Sequence, residues 1–123
     1  MFSEPLTIDH AASLFSAVGS PARLAVLQAV VRSGSRGLSV GELRTGSDMP
    51  ASTLAHHLTA LVRVDLILQE KSGRTVINRA NITKLQDLGD YLLVECCRDE
   101  TDLTAETAAR RRLSQHREHG FIV

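Results

Sequence analysis

The sequence predicts a mainly α-helical α+β domain, five helices and one β-hairpin. Three observations predict it. Apolar residues recur at helical spacing in segments bounded by capping residues, two strand-like runs flank Ser72-Gly73, and 123 residues is the length of a single domain. A domain of this size buries only about two-thirds of the surface its unfolded chain exposes, so a second subunit is expected to complete its core.

The first helix is expected over Ile8 to Val18, where Ile8, Ala11, Ala12, Phe15 and Val18 recur at helical spacing and Gly19 stops the run. Ser20-Pro21 opens the second, an N-cap followed by proline at the first helical position, and Leu24, Leu27, Val30 and Val31 form its apolar stripe before Ser33-Gly34-Ser35. Ser39 and Glu42 have capping-box spacing for a short third helix with Leu43 turned inward. After Gly46-Ser47-Asp48, Met49-Pro50-Ala51-Ser52 begins a fourth, with Leu54, Leu58, Leu61 and Val62 inward and Ser52, Thr53, His56, His57 and Thr59 largely toward solvent.

Two helices joined by a short turn, the second opening on small polar residues, make a helix-turn-helix pattern. The runs Leu66 to Lys71 and Arg74 to Arg79 add a hairpin, or wing. The last helix is expected over Ile82 to Arg98, with Leu85, Leu88, Leu92 and Cys96 on one stripe. Residues 1–98 therefore form a winged helix-turn-helix unit. Residues 99–123 form a charged tail, helical in part around Ala105 to Arg112.

The chain has 14 basic and 14 acidic residues, and neutrality alone argues against nucleic acid. The balance hides a division, however: Ser20 to Ala80 carries eight basic and four acidic residues, leaving six basic and ten acidic elsewhere. A +4 middle with −4 flanks suits phosphate binding on one face, because counterion release depends on local neutralisation. With three Phe, one Tyr and no Trp, base-stacking platforms are disfavoured. No apolar run reaches the ~20 residues of a membrane span, there is no signal-peptide pattern, and the adjacent Cys96-Cys97 is a poor structural disulfide. A cytoplasmic protein is expected, with both cysteines as thiols.

A recognition helix offers its first turns to base edges, which makes Ser52, Thr53 and His56 candidate contacts. His57 either hydrogen-bonds a phosphate or packs beneath the wing. Arg74 at the wing tip reaches a minor groove or a phosphate, or is simply a solvated turn residue; Lys71 has the same alternatives. No glycine-rich phosphate loop or nucleophile signature accompanies the His and Cys residues, so an enzyme is disfavoured. A winged helix used only for protein association is the remaining alternative.

In this order, Ser20-Pro21-Ala22-Arg23-Leu24, Leu38 to Leu43, Ser52 to Leu58 and Gly73-Arg74 resemble the ArsR/SmtB family of winged-helix repressors across roughly Ile8 to Arg98. The resemblance implies a homodimer through the first and last helices, bound to an imperfect inverted repeat in double-stranded DNA and released by an inducer. It departs from the family at Val64-Asp65-Leu66, where a glycine is customary, and lacks the family's frequent wing tyrosines. Aspartate can take the left-handed conformation at some cost.

The thiol pair of the third helix and the histidine ligands of the last helix, both used by metal-sensing members, are missing here. Glu95-Cys96-Cys97-Arg98 is instead similar to a subgroup of arsenite repressors with a vicinal pair at this place, although their third cysteine is absent. No constitutive cofactor is expected. Trivalent arsenic prefers thiolates. Two sulfurs suffice for methylarsenite, whereas inorganic arsenite or antimonite needs a further ligand. The alternatives for Cys96 and Cys97 are reversible oxidation or packing. His116 and His119, with Glu118, form a weaker candidate metal pair in the tail.

Overall fold

The computed structural model describes residues 5–95. In chain order its elements are α1 (Ile8–Ala17), α2 (Pro21–Arg32), a 3-10 turn (Gly34–Arg36), β1 (Leu38–Ser39), α3 (Val40–Thr45), α4 (Ala51–Arg63), β2 (Ile67–Ser72), β3 (Thr75–Ala80) and α5 (Ile82–Glu95). This is the winged helix-turn-helix expected from the sequence. The final residues of the expected last helix and the whole tail lie outside the described residues.

Local chemistry sets most boundaries. The Thr7 hydroxyl accepts the His10 N–H to start α1, and the Ser20 hydroxyl accepts the Arg23 N–H to start α2, with Pro21 in the first turn. At α3 the capping box is complete: the Ser39 hydroxyl accepts from Glu42 N–H, and the Glu42 carboxylate accepts from Ser39 N–H at 3.0 Å. That bond and the Arg36 guanidinium hold the Glu42 carboxyl below its ordinary range. By contrast, α4 starts on Pro50 with no side-chain cap.

The end of α4 is a Schellman motif built on aspartate. Asp65 adopts φ 62°, the Leu66 N–H reaches back to the Leu61 carbonyl, and the Asp65 N–H bonds Val62. Leu61 and Leu66 are both fully buried, the apolar contact this motif favours. Asn81 continues the joint: its amide donates to the Asp65 carbonyl at 2.9 Å, and its Oδ1 accepts from Lys84 N–H to cap α5.

The sheet runs β1-β3-β2, antiparallel throughout. Each wing strand sits one residue later than expected, because the two-residue turn is Gly73-Arg74, with Ser72 paired to Thr75. Gly73 has φ 63°, the conformation a tight hairpin asks of its first central residue. Nothing in the residue pattern signals β1, a two-residue strand. Gly37 admits it: at φ 71°, any Cβ there would sit 2.5 Å from Ile77 and 2.8 Å from the Asn78 carbonyl. Asn78, fully buried in the central strand, ties both neighbours by donating to the Leu38 carbonyl and accepting from the Gln69 amide.

One core joins Leu14, Val30, Leu54, Leu61, Leu66, Ile67 and their neighbours. Two expected faces are corrected. On α1 the buried residues are Ala11, Leu14 and Ala17, while Ile8, Ala12 and Phe15 face outward. On α2, Val26 is buried and Leu24 is 41% exposed. Both helices carry apolar residues on more than one side, so periodicity did not single out the core face. The α5 stripe also divides: Leu88 is buried and Leu85 half-buried, whereas Leu92 points outward beside Leu93 and Val94. Among the described residues, no single helix is long and apolar enough to cross a membrane.

Candidate nucleic-acid interface

Helix α4 packs on α2, α3 and β2 through Leu54, Leu58 and Leu61, all buried. At about 100° per residue, Ser52, His56, Thr59 and Arg63 fall on one stripe on the opposite side. All four are exposed. Thr53 is also exposed, at the edge of that stripe. Of the expected base contacts, Ser52, Thr53 and His56 are thus gathered on the open face of the first turns of α4. Arg63 was missed by the sequence reading; its signal was its eleven-residue spacing from Ser52, three turns along the same stripe.

His57 lies elsewhere. Its ring is half-buried, and Nδ1 accepts a hydrogen bond from Arg23 Nε at 3.3 Å, while the same guanidinium donates to the Ala17 carbonyl at 3.4 Å. Of the partners open to His57, a phosphate or the underside of the wing, the structure shows a third as its hydrogen-bonded neighbour: the start of α2. Accepting at Nδ1 requires that nitrogen to be bare, so the neutral ring carries its hydrogen on Nε2. Desolvation and the adjacent Arg23 and His56 push the His57 pKa below its ordinary 6.5. The residue therefore positions α4 as an uncharged group. Its ring centroid lies 5.9 Å from that of His56, tilted by 54°.

Arg74 sits in the wing turn and Lys71 in the second pair below it, opposite Val76; both are exposed. Apart from Arg23, the cations of the basic middle separate into two groups. Arg36 pairs with Glu42, and Arg79 bonds the Ser35 carbonyl at 2.7 Å and Glu70 at 3.4 Å, fastening the wing's base to the 3-10 turn. Arg32, Arg44, Arg63, Lys71 and Arg74 are exposed and make no hydrogen bond or ion pair with other described residues. These are the charges available to phosphate.

Cys96, Cys97, His116 and His119 lie outside the described residues. Among the described residues, no group of three or more His, Cys, Asp or Glu side chains is placed to hold a metal ion.

Comparison with known proteins agrees with this geometry. A family described as a helix-turn-helix domain matches residues 18–70. An ArsR-like transcriptional regulator from Rhodococcus sp. RHA1 superposes with a TM-score of 0.66 at 25% identity, covering 85% of this chain and 92% of that one. Reduced HlyU from Vibrio cholerae gives 0.55 at 27% identity, over 72% and 90%. NolR from Sinorhizobium fredii gives 0.57 at 23% identity, over 75% and 96%, a likeness of fold. No curated protein matches the chain. The likeness read from the motifs thus holds for domain and fold, and none of these matches touches the likeness to the arsenic-responsive subgroup.

Proposed function

From a chain that carries a helix-turn-helix domain within an ArsR-like winged-helix fold, we propose a DNA-binding transcriptional repressor. One observation carries this reading: the first turns of α4 hold their small polar residues and His56 on an open face directly opposite the buried leucines. A helix so mounted fits the major groove, where short side chains let the backbone approach base edges. Ser52, Thr53 and His56 read bases, Arg63 and Arg44 neutralise phosphates, and Lys71 and Arg74 follow the backbone or minor groove beside the wing. His57 sets the pose of α4 through Arg23.

Helices α1 and α5 pack on each other, and both keep large apolar residues exposed: Ile8 at 73% and Phe15 at 37% on α1, Leu92, Leu93 and Val94 on α5. A second copy of the chain covers this surface. The resulting twofold homodimer presents two α4 helices to an imperfect inverted repeat, its half-sites one helical turn of DNA apart.

Release from DNA follows when a thiophilic inducer binds the Cys96/Cys97 thiolates, with methylarsenite matching two sulfurs and arsenite or antimonite drawing a further ligand from solvent or the partner. Fluorescence anisotropy on DNA from upstream of the chain's own gene tests the reading. Sequence-selective, salt-dependent binding that methylarsenite abolishes supports it; equal release of a Cys96→Ser/Cys97→Ser variant removes the thiol site, and failure to bind any such fragment favours a protein-association module.

A further inference from the structure

A cavity of about 240 Å³ opens between α2 and the helix-turn-helix. It exists because α2 turns Ala25 and Ala29, one helical turn apart, toward α3; both side chains stop at Cβ. The opposite wall is Leu43 of α3, with Met49 and Leu54 closing the end nearest α4. Leu43 and Leu54 are buried, so the floor is hydrocarbon, whereas Glu42 and Ser47 are exposed and line the mouth.

We infer that this cavity is an effector site for a small uncharged two-ring aromatic bearing one N–H or O–H donor. Size decides between one ring and two, since a buried apolar space of about 150 Å³ already accepts benzene. The lining decides the rest. Apolar walls take the rings, and Glu42, whose oxygens accept from Ser39 and Arg36, has lone pairs left for a donor at the mouth. The Arg36–Glu42 ion pair is neutral as a whole, so it favours neither an anion nor a cation, and entering the apolar space would strip either charge of its hydration. The space is far too small for a peptide helix.

The site reaches the proposed interface mechanically. Its walls belong to α2, α3 and α4, and α4 is further tied to α2 by the Arg23–His57 bond. An occupant that spreads α3 from α2 therefore shifts α4 relative to the wing, and DNA affinity and ligand affinity are coupled reciprocally. This coupling rests on the DNA-binding reading above, whereas occupancy of the cavity does not.

The experiment titrates full-length protein with indole and with 2-naphthol, using 2-naphthoate as the anionic control, and follows backbone amide resonances. Saturable shifts at Ala25, Ala29, Leu43 and Gly46 with the neutral probes are expected, and these should be lost in Ala29→Leu and in the more exposed Ala25→Leu, either of which fills the space. At saturation, DNA affinity should fall tenfold or more in wild type and stay unchanged in the leucine variants. Absence of saturable shifts with both neutral probes, their persistence in both variants, or equal binding of 2-naphthoate overturns the site. Saturable binding with unaltered DNA affinity overturns its coupling to DNA. If the unliganded chain binds no DNA, the proposed function fails, while the resonance titration still decides the cavity.

Discussion

Arg23 at the start of α2 donates its Nε hydrogen to Nδ1 of His57 on α4, 34 residues away in sequence. The bond fixes the tautomer of His57 and joins α4 to α2. It exists only while Nδ1 is bare, and protonation converts the acceptor into a donor facing a guanidinium.

Acid should therefore loosen this joint. Because burial and neighbouring Arg23 lower the folded-state pKa of His57, the unfolded chain binds the proton more readily. The stability gained by keeping the ring neutral is complete above the ordinary value of 6.5 and is lost as pH falls through it toward the lower folded value. Urea unfolding between pH 8 and pH 5 should show wild type losing more stability than His57→Gln, which cannot titrate but can still accept from Arg23. Equal losses would show that His57 is not the responsible group.

At the end of α4, Asp65 occupies a left-handed conformation that costs an L-residue about 1 kcal/mol or more. Asp65→Gly should raise stability by up to about 1 kcal/mol, reduced by glycine's greater unfolded-state entropy. Asp65→Val should lower it by more than about 1 kcal/mol, since a branched side chain fits this region worst. Chemical denaturation reads both.

In the sheet, Asn78→Leu removes the donor to the Leu38 carbonyl and the acceptor for Gln69 together. A loss of about 1 to 3 kcal/mol is expected, the usual cost of orphaning a buried polar partner. Hydrogen exchange should show the loss concentrated at β1, whose two residues pair with β3 alone among the described strands.

What could be read in the sequence was local. Ser20-Pro21, the Ser39/Glu42 capping box, the buried leucines of α4 and the left-handed Asp65 each follow from residues within one or two turns, and all are present. What was missed depends on distance or on a choice between faces. β1 is two residues long and exists because β3, forty positions away, pairs with it. The exposure of Ile8 and Phe15 was hidden because α1 is apolar on two sides, and the turn at Gly73-Arg74 differs from Ser72-Gly73 by the single residue that sets register. At the candidate site, the polar opening of α4 gave Ser52, Thr53 and His56 directly, but the Arg23 partnership of His57 had no sequence signal.

Sedimentation equilibrium tests the surface shared by α1 and α5. Phe15→Glu and Leu92→Glu each place a charge among exposed apolar groups rather than in the core, so folding should be retained while the dimer gives way to monomer. A wild-type protein that sediments as a monomer at micromolar concentration would remove the dimer and with it the expectation of an inverted repeat.

The most direct test of the central claim is salt-dependent anisotropy on a selected DNA site, comparing wild type with Ser52→Ala/Thr53→Ala/His56→Ala and with Arg74→Ala. These residues are exposed, so the variants should keep their circular dichroism. The triple variant should lose sequence discrimination, at about 1 to 3 kcal/mol for each base contact removed. Arg74→Ala should weaken all sequences alike and reduce the salt slope by about one per protomer. Unchanged affinity, discrimination and salt slope in both variants would contradict the docking of α4 and the wing on DNA.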